Sequence, residues 1–326
     1  MKFNDEQSRV AVNLRQYYEV WAQARRELYR LNYRLYWKVS GHREYLVKLV
    51  NSRNDGKSLG ARSAETERLM LEYERDKCSA QERAAGVELT LRTTARIYRT
   101  LRLPAIASEA AAILRSADER GMLDSDFIIV GTTAMAAYEI EAAARFALGM
   151  DATEDFDLAW SDPGRATVAS RSRVAPIMSM LKSVDSTYVV NTERPFQARN
   201  AKAYEVEVLM APSVASAYPP SEPLRPIALP EQEWLLRGNR VDHVVCGRDG
   251  SPARLVVPDP RWYALHKLWL GTQAKRNPLK REKDLKQGRA LFAAIRDAMP
   301  QFPLDAGFAA EVPSELKPMY KAQLAL

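Results

Sequence analysis

The spacing of apolar positions along the first third of the chain is helical. From residue 6 to residue 39, apolar and aromatic side chains recur every three or four positions, as at Val12, Trp21 and Leu35, which predicts one long amphipathic helix. Further helices are predicted over residues 63–85, 87–101 and 104–121. The stretch "GKSLG", residues 56–60, lacks the spacing of a phosphate-binding P-loop, and we expect a basic loop there.

After residue 126 the pattern changes to short apolar runs of strand length. Strands are predicted over residues 127–130, 151–160, 186–191, 204–212, 240–247 and 253–258. An alanine-rich helix is predicted over residues 134–148, and a helical region follows Pro258 and Pro260. The fold class is therefore α/β (α+β), with a mixed sheet and helices flanked by helical N- and C-terminal regions.

The same pattern divides the chain into three expected regions. Residues 1–120 form a helical N-terminal region with a basic loop, residues 121–258 a mixed α/β core, and residues 259–326 a helical C-terminal region. The prolines between residues 218 and 230 indicate an exposed connection between strands of the core.

Composition and charge narrow the classes of function. The chain has 326 residues, of which 46% are hydrophobic, and its net charge is +7. Because no stretch approaches the roughly 18 apolar residues of a membrane span and no signal peptide opens the chain, we expect a cytoplasmic protein with no membrane partner. Basic residues outnumber acidic ones by 23 to 16 over residues 1–120 and by 12 to 6 over residues 261–326, whereas acidic residues exceed basic ones by 19 to 13 between them. This indicates an enzyme for a polyanionic substrate, although solvated helix faces explain either basic end equally well.

The first predicted helix interleaves arginines with aromatic side chains. Arg26, Arg30 and Arg34 alternate with Tyr29 and Tyr33, a combination that can bind nucleic acid by charge and stacking. The alternative, which the periodicity favours, is a helix that buries its aromatic side chains and leaves its arginines in water.

Two aspartates interrupt an otherwise apolar strand in "DATEDFDLAW". Because side chains alternate along a strand, Asp155 and Asp157 are predicted to share one face. Paired carboxylates repel unless a cation lies between them, and oxygen ligands favour Mg²⁺ or Mn²⁺. A third acid is available in "YEVEVLM", where Glu207, the deeper of two glutamates among apolar neighbours, is preferred to Glu205.

A turn between the first core strand and the following helix offers a phosphate site. Gly131 lets the backbone approach a ligand closely, and the amides and hydroxyls of Thr132 and Thr133 can bind phosphate oxygens. A surface loop or an ordinary helix cap accounts for the same residues when they are taken alone.

The order of these features resembles the nucleotidyltransferase fold shared with DNA polymerase β. There a strand, a Gly-Gly or Gly-Ser turn, a helix, an Asp-x-Asp strand and a distal third carboxylate follow one another, as do Gly131-Thr132, Asp155-x-Asp157 and Glu207 here. The longer helix between turn and strand looks like that of stand-alone nucleotidyltransferase-like proteins and the related AbiEii-type abortive-infection toxins. The resemblance covers about residues 121–290, which include the core over residues 121–258.

The resemblance extends into the C-terminal region and implies roles for three residues there. Lys267, Lys283 and Asp284 are similar to the Lys and Lys/Arg-Asp motifs that follow the core in those families. It implies that the two lysines contact the nucleotide and that Asp284 orients a group or acts as a base. A charged helix face accounts for these residues without a function.

Together these features predict a metal-dependent nucleotidyltransferase that moves a nucleoside monophosphate from an NTP to an acceptor. Asp155, Asp157 and Glu207 would hold Mg²⁺ or Mn²⁺. The basic ends favour RNA as acceptor, with a transfer-RNA 3′ end foremost, and the resemblance implies a toxin or defence role with a cognate inhibitor protein. The alternatives are a small-molecule or protein hydroxyl as acceptor, or a non-catalytic module that binds nucleic acid or a partner.

Overall fold

A computed structural model describes residues 1–50, 56–125, 127–146, 155–161 and 177–325. The chain divides into two compact units, one formed by Gln16–Thr93 and the other by Met1–Arg15 together with Thr94–Leu326. The predicted mixed α/β class with helical N- and C-terminal regions is confirmed. The three-part division at residues 120 and 258 stays a prediction. Over the described ranges, no helix has both the length and the apolarity required to cross a bilayer.

The unit Gln16–Thr93 contains a three-stranded antiparallel sheet between two long helices of the sequence. Most of α1 (Asp5–Arg30) and most of α2 (Ala64–Thr100) belong to this unit, although the first turns of α1 and the last turns of α2 belong to the other one. The strands of the sheet are β1 (Arg34–Ser40), β2 (Arg43–Leu49) and β3 (Gly56–Ala61). The sheet order is β1-β2-β3. Leu35 and Leu46 are buried against Tyr73 of α2, which gives this unit its own small core.

Two sequence predictions in this unit are wrong. The first helix ends at Arg30 and not near residue 39, and the expected basic loop "GKSLG" is strand β3. At the start of β1, Leu35 is buried between exposed Arg34 and half-buried Tyr36, and the strand becomes exposed from Lys38 onwards. Over residues 31–39, the spacing of aromatic and apolar side chains fits the period of a helix as well as that of a strand. The strand forms because these residues pair with β2.

The two helices predicted over residues 63–85 and 87–101 are one continuous helix, α2. Gly86 lies in its middle and does not interrupt it. A single glycine costs a helix about 1 kcal/mol relative to alanine, which the many other backbone hydrogen bonds of a 37-residue helix outweigh.

The other unit is built around a mixed sheet and a second, smaller sheet. Its strands are β4 (Ala105–Ile106), β5 (Phe127–Ile129), β6 (Asp155–Trp160), β7 (Val189–Val190), β8 (Gln197–Arg199), β9 (Glu205–Met210), β10 (Ile227–Ala228), β11 (Val241–Gly247) and β12 (Pro252–Val257). The larger sheet has the order β5-β6-β9-β8-β7, with β10 paired to β9, and the smaller one has the order β12-β11-β4. The six strands predicted from the sequence in this region correspond to β5, β6, β7, β9, β11 and β12. Residues 151–154, the first part of the second predicted strand, lie outside the described residues.

Helices cover these sheets and form the C-terminal part of the unit. They are α3 (Ser108–Glu119), α4 (Met122–Ser125), α5 (Met135–Glu141), α6 (Ile177–Val184), α7 (Pro260–Thr272), α8 (Pro278–Ala298), α9 (Ala306–Glu311) and α10 (Lys317–Leu324). Helix α3 packs against β12, β11 and α6, and α7 packs along α8. The core between them includes fully buried Phe156, Val206 and Trp262.

The alanine-rich helix is shorter than the prediction of residues 134–148. A 3-10 turn over Thr132–Ala134 leads into α5, which ends at Glu141. Ala143 then has a φ of 44°, a left-handed conformation that stops the helix. Its carbonyl accepts a hydrogen bond from the backbone N–H of Phe3 at 2.7 Å, so pairing with the N-terminal residues stabilises this ending. Residues 147 and 148 lie outside the described residues.

Candidate active site

The register of the larger sheet places three polar residues, Asp157, Glu207 and Gln197, next to one another on neighbouring strands. Asp157 on β6 is the Cα partner of Glu207 on β9, which in turn is the partner of Gln197 on β8. Phe156 and Val206, one position away, are fully buried in the core. Since alternate residues point to opposite faces, Asp157 and Glu207 stand side by side on the face opposite that core, where both are half-buried.

Gly131 is in direct contact with Asp157. The glycine has a φ of 68°, and a Cβ atom at this position would lie 1.9 Å from Oδ2 of Asp157. The backbone N–H of Val130 also donates a hydrogen bond to the carbonyl of Asp157 at 3.1 Å. Both the backbone conformation and the close approach therefore require glycine, and the turn after β5 is held against the aspartate of β6.

The carbonyl of Gly131 is fixed from the other side by Tyr263 of α7, whose hydroxyl donates a hydrogen bond to it. Tyr263 is fully buried. Burial raises the pKa of this hydroxyl well above its ordinary value, and the negative charges of Asp284 and Asp157 act in the same direction. The phenol consequently keeps its proton and remains a donor.

Thr132 and Thr133 follow Gly131 in the 3-10 turn, and both are buried. The side-chain amide of Gln287, on α8, donates a hydrogen bond to Oγ1 of Thr132 at 3.4 Å. The predicted turn is thus present, but the structure adds two contacts from the C-terminal helices, through Tyr263 and Gln287, that hold it in place.

The two glutamates of β9 differ in their partners. Glu207 accepts a hydrogen bond from the side-chain amide of Gln197 at 2.5 Å, whereas Glu205 forms an ion pair with Arg199. Asp155 is the register partner of Glu205, but its side chain lies outside the described part of the structure. The local charge of Glu205 is already balanced, while Glu207 lies beside Asp157 with a neutral partner. This arrangement favours Glu207 as the second acid of the site.

Helices α7 and α8 pack closely enough to bring Lys267 and Asp284 together. A Cβ at Gly288 would meet Cγ of Leu268 at 2.8 Å and the carbonyl oxygen of Ala264 at 3.0 Å, so only glycine permits this helix spacing. Nζ of Lys267 lies 2.9 Å from Oδ1 of Asp284 across the contact.

Asp284 is fully buried and lies between two cations. Besides Lys267, Nε of Arg276 lies 2.8 Å from its Oδ2. Burial acts to raise the pKa of Asp284, but the charges and hydrogen bonds of Lys267 and Arg276 outweigh it and lower the pKa below the ordinary value. A carboxylate so stabilised is a poor proton acceptor, and Lys267, only 3% exposed, directs its ammonium to Asp284.

Lys283, on α8, lies within electrostatic reach of Asp157. Burial lowers the pKa of its ammonium, and the neighbouring charges of Lys267 and Lys280 lower it further. The carboxylates of Asp284 and Asp157 act in the opposite direction. Of the three residues predicted from the sequence in this region, Lys283 is thus brought near Asp157, whereas Lys267 and Asp284 pair with each other across the α7–α8 contact.

The ion pairs of Asp284 allow a stability prediction. Replacing Asp284 by asparagine leaves two cations without their carboxylate, and we expect the free energy of unfolding at pH 7 to fall by about 3 kcal/mol. Because the folded-state pKa is lowered, the contribution of the carboxylate is complete above the ordinary value of 3.8 and disappears as the pH falls through the folded-state value. The difference between the two proteins in urea unfolding should therefore shrink below pH 3.8.

Asp297→Asn is the matched control for this prediction, since Asp297 forms an exposed ion pair with Arg296 on the same helix. Exposed pairs contribute about 0–1 kcal/mol, so this variant should unfold almost like the wild type. Equal losses in the two variants would mean that Asp284 does not stabilise the α7–α8 contact.

Sequence reasoning missed three residues that support the site: Gln197, Tyr263 and Gln287. Each acts through a hydrogen bond between two elements, and Tyr263 and Gln287 lie more than 100 residues from the turn that they contact. Tyr263 stands in the largely apolar stretch "RWYALHKLWL", whereas Gln197 and Gln287 lie in polar stretches of the sequence that do not single them out.

Asp157 and Glu207 offer the oxygen ligands that Mg²⁺ and Mn²⁺ prefer, and phosphate oxygens and water usually complete such a coordination sphere. Within the described side chains, no three acidic, histidine or cysteine residues are gathered in one group that could hold a metal. The predicted third ligand, Asp155, falls outside those side chains. The two described acids fit a hard divalent cation that is held partly by substrate.

A glycine turn against a carboxylate pair, with the basic residues of α8 beside it, is an arrangement that suits a phosphate-bearing substrate. A family model described as nucleotidyltransferase matches residues 108–312. Because this match covers well over half of the chain, the chain belongs to the nucleotidyltransferase family, and it is an enzyme that transfers a nucleoside monophosphate from an NTP. Comparisons with curated proteins and with solved structures gave no match.

Proposed function

We propose that the enzyme uses a divalent cation, Mg²⁺ or Mn²⁺, and transfers the nucleotide to the end of an RNA, foremost a transfer-RNA 3′ end. The observation that carries the proposal is the contact between Gly131 and Asp157, with Glu207 at the next strand. This contact places a backbone turn that is able to bind phosphate beside acids that are able to hold a cation.

In this proposal Asp155, Asp157 and Glu207 hold the metal. When bound, a divalent cation lowers the pKa of the acceptor hydroxyl and neutralises charge on the leaving pyrophosphate. The chain itself supplies position: β6 and β9 fix the acids in register, and Gln197 orients the carboxylate of Glu207. Little further proton-transfer chemistry is required from protein side chains.

The turn and the C-terminal helices would bind the triphosphate. Gly131, Thr132 and Thr133 offer backbone amides and hydroxyls, and Tyr263 holds the turn through the Gly131 carbonyl. Lys283 provides positive charge near Asp157. We assign Lys267 and Asp284 to the support of this surface and not to base catalysis, because Asp284 is buried between two cations.

RNA is favoured as acceptor because basic residues predominate at both ends of the chain, around an acidic centre. A place among stand-alone nucleotidyltransferases related to AbiEii-type toxins, and with it a cognate inhibitor protein, rests on the sequence resemblance alone. A small-molecule or protein hydroxyl is the competing acceptor.

An NTP labelled at a single phosphate shows which part of the nucleotide is transferred, and this tests the proposed nucleotidyl transfer. With Mg²⁺ or Mn²⁺, an NTP labelled at its α-phosphate should label total cellular RNA, while a γ-labelled NTP should not, since pyrophosphate leaves. Label on a protein or a small molecule alone would contradict the RNA acceptor and leave nucleotidyl transfer intact. Transfer of the γ-label would contradict the proposed chemistry.

A further inference from the structure

The sheet of the unit Gln16–Thr93 has two unlike faces. One face carries Leu35 and Leu46, which pack with Tyr73 of α2, and Trp37, which packs against this cluster. The other face, which we call the outer face, is formed by Arg34, Tyr36, Lys38 and Ser40 of β1, Arg43, Tyr45, Val47 and Leu49 of β2, and Gly56 and Ser58 of β3. The outer face bears aromatic and basic side chains where a simple surface sheet carries mixed charges.

A cavity of about 530 Å³ lies on the outer face. Val47, which is 5% exposed, contributes an apolar lining, and the half-buried rings of Tyr36 and Tyr45 line it as well. The register places Tyr36 opposite Val47 and Tyr45 opposite Lys38, so the two tyrosines are diagonal neighbours about 7–8 Å apart at their Cα atoms. This volume is typical of sites that enclose a small planar ligand or a segment of one.

The charge of the outer face has one sign. Arg34, Lys38 and Arg43 are exposed and basic, and no strand residue on this face is acidic. The guanidinium of Arg34 lies 5.4 Å from the ring centroid of Tyr36, so cation and aromatic ring form a continuous surface. A polyanion with planar groups is complementary to such a surface in both charge and shape.

We propose that the outer face binds single-stranded RNA, with bases stacked on Tyr36 and Tyr45 and phosphates paired with Arg34, Lys38 and Arg43. Base stacking on aromatic side chains within a positively charged groove is the general mode of single-strand binding. The hydroxyls of Ser40 and Ser58 also line the cavity and are able to hydrogen-bond a ribose 2′-OH, which favours RNA over DNA.

This inference deepens the proposed function and rests on it for the identity of the RNA, which is the acceptor. A protein segment is a poorer fit, because the exposed part of the cavity is lined by Lys38, Ser40 and Ser58 and offers few aliphatic side chains. We therefore assign the binding of the acceptor RNA to the unit Gln16–Thr93. The family match does not cover this unit.

The test is fluorescence anisotropy of a short fluorescein-labelled oligouridine titrated with the full-length protein, without NTP or metal. Tyr36→Leu and Tyr45→Leu should each weaken binding about tenfold, while Tyr45→Phe, which keeps the ring, should bind like the wild type. Lys38→Gln should reduce the slope of log affinity against log salt by about 0.7, the share of one phosphate contact.

Lys57→Gln is the matched control, because Lys57 is exposed on the same sheet but is the register partner of Lys48 on the other face. It should leave the affinity and the salt slope unchanged. Circular dichroism of each variant confirms that the sheet is intact.

Several results would overturn the inference. They are no RNA binding by the wild type, equal effects of Lys38→Gln and Lys57→Gln, wild-type binding by both leucine variants, and equal affinity for oligothymidine. Oligouridine binding that does not weaken with salt would also overturn it, because phosphate contacts with basic residues release counterions. The experiment with the α-labelled NTP is a separate test of the acceptor. If RNA binds to the outer face as described but another acceptor is labelled, the RNA-binding inference is supported and the proposed acceptor is wrong.

Discussion

Replacing Asp157 by asparagine is expected to reduce nucleotidyl transfer about 10³-fold or more while the protein stays folded. The substitution removes a charged oxygen ligand from a site where the bound cation contributes several kcal/mol to the transition state, and each 1.4 kcal/mol is a factor of ten. It also removes one of two carboxylates that stand side by side in register, so repulsion with Glu207 decreases. Pyrophosphate release measures the activity, and thermal unfolding measures the stability.

Asp297→Asn, an identical change at an exposed position of α8, should keep full activity. Near-normal, metal-dependent transfer by Asp157→Asn would show that the acid pair is not the metal site. The same comparison extends to β9: Glu207→Gln should lose activity, and Glu205→Gln should not, because Glu205 is paired with Arg199. The reverse result would move the ligand role from Glu207 to Glu205.

Replacing Gly131 by alanine is expected to lower both stability and activity. The backbone of Gly131, with φ 68° and ψ −166°, lies in a region that is essentially restricted to glycine, and an alanine held there costs about 1–3 kcal/mol. The new Cβ would also lie 1.9 Å from the carboxylate of Asp157, so the turn or the aspartate must move. We expect the loss of stability to exceed the conformational cost alone and the transfer activity to fall at least tenfold, since the acid and the phosphate-binding turn are displaced together.

Gly86→Ala serves as the control for this prediction. Gly86 lies in the middle of α2, and a Cβ there meets no atom within 4 Å, so alanine should stabilise the helix by up to about 1 kcal/mol. In the double variant Gly131→Ala/Asp157→Gly the clash is relieved, and part of the stability should return without activity. A Gly131→Ala protein as stable and active as the wild type would be incompatible with the described contact.

Local periodicity in the sequence was sufficient for the elements that build the site. Alternation around Asp157 and Glu207 predicted β6 and β9, and the apolar run ending at Val130 followed by glycine predicted β5 and its turn. These signals are short-range: a strand with one buried face repeats every two residues, and a left-handed turn requires glycine. The positions of these strands could therefore be predicted without knowing which strands lie next to them in the sheet.

In the N-terminal region, local periodicity was not sufficient to predict the elements. Leu35 and Trp37 fit the apolar stripe of a helix as well as one face of a strand, and only pairing of β1 with β2 decided between them. Short strands such as β8 were not predicted, because three residues carry too little periodicity. Propensity over a few residues is weaker than the tertiary contacts that compete with it.

By itself, the sequence determined the strands that carry the candidate acids, the glycine turn and the class of fold. Only the tertiary structure decided that Asp157 faces Glu207 and not Glu205, because strand register depends on pairing between distant segments. It also decided that Asp284 is buried between Lys267 and Arg276, since that depends on how closely α7 and α8 pack at their glycines. Side chains that act through neighbours far along the chain acquire their chemistry only when folding brings those neighbours into contact.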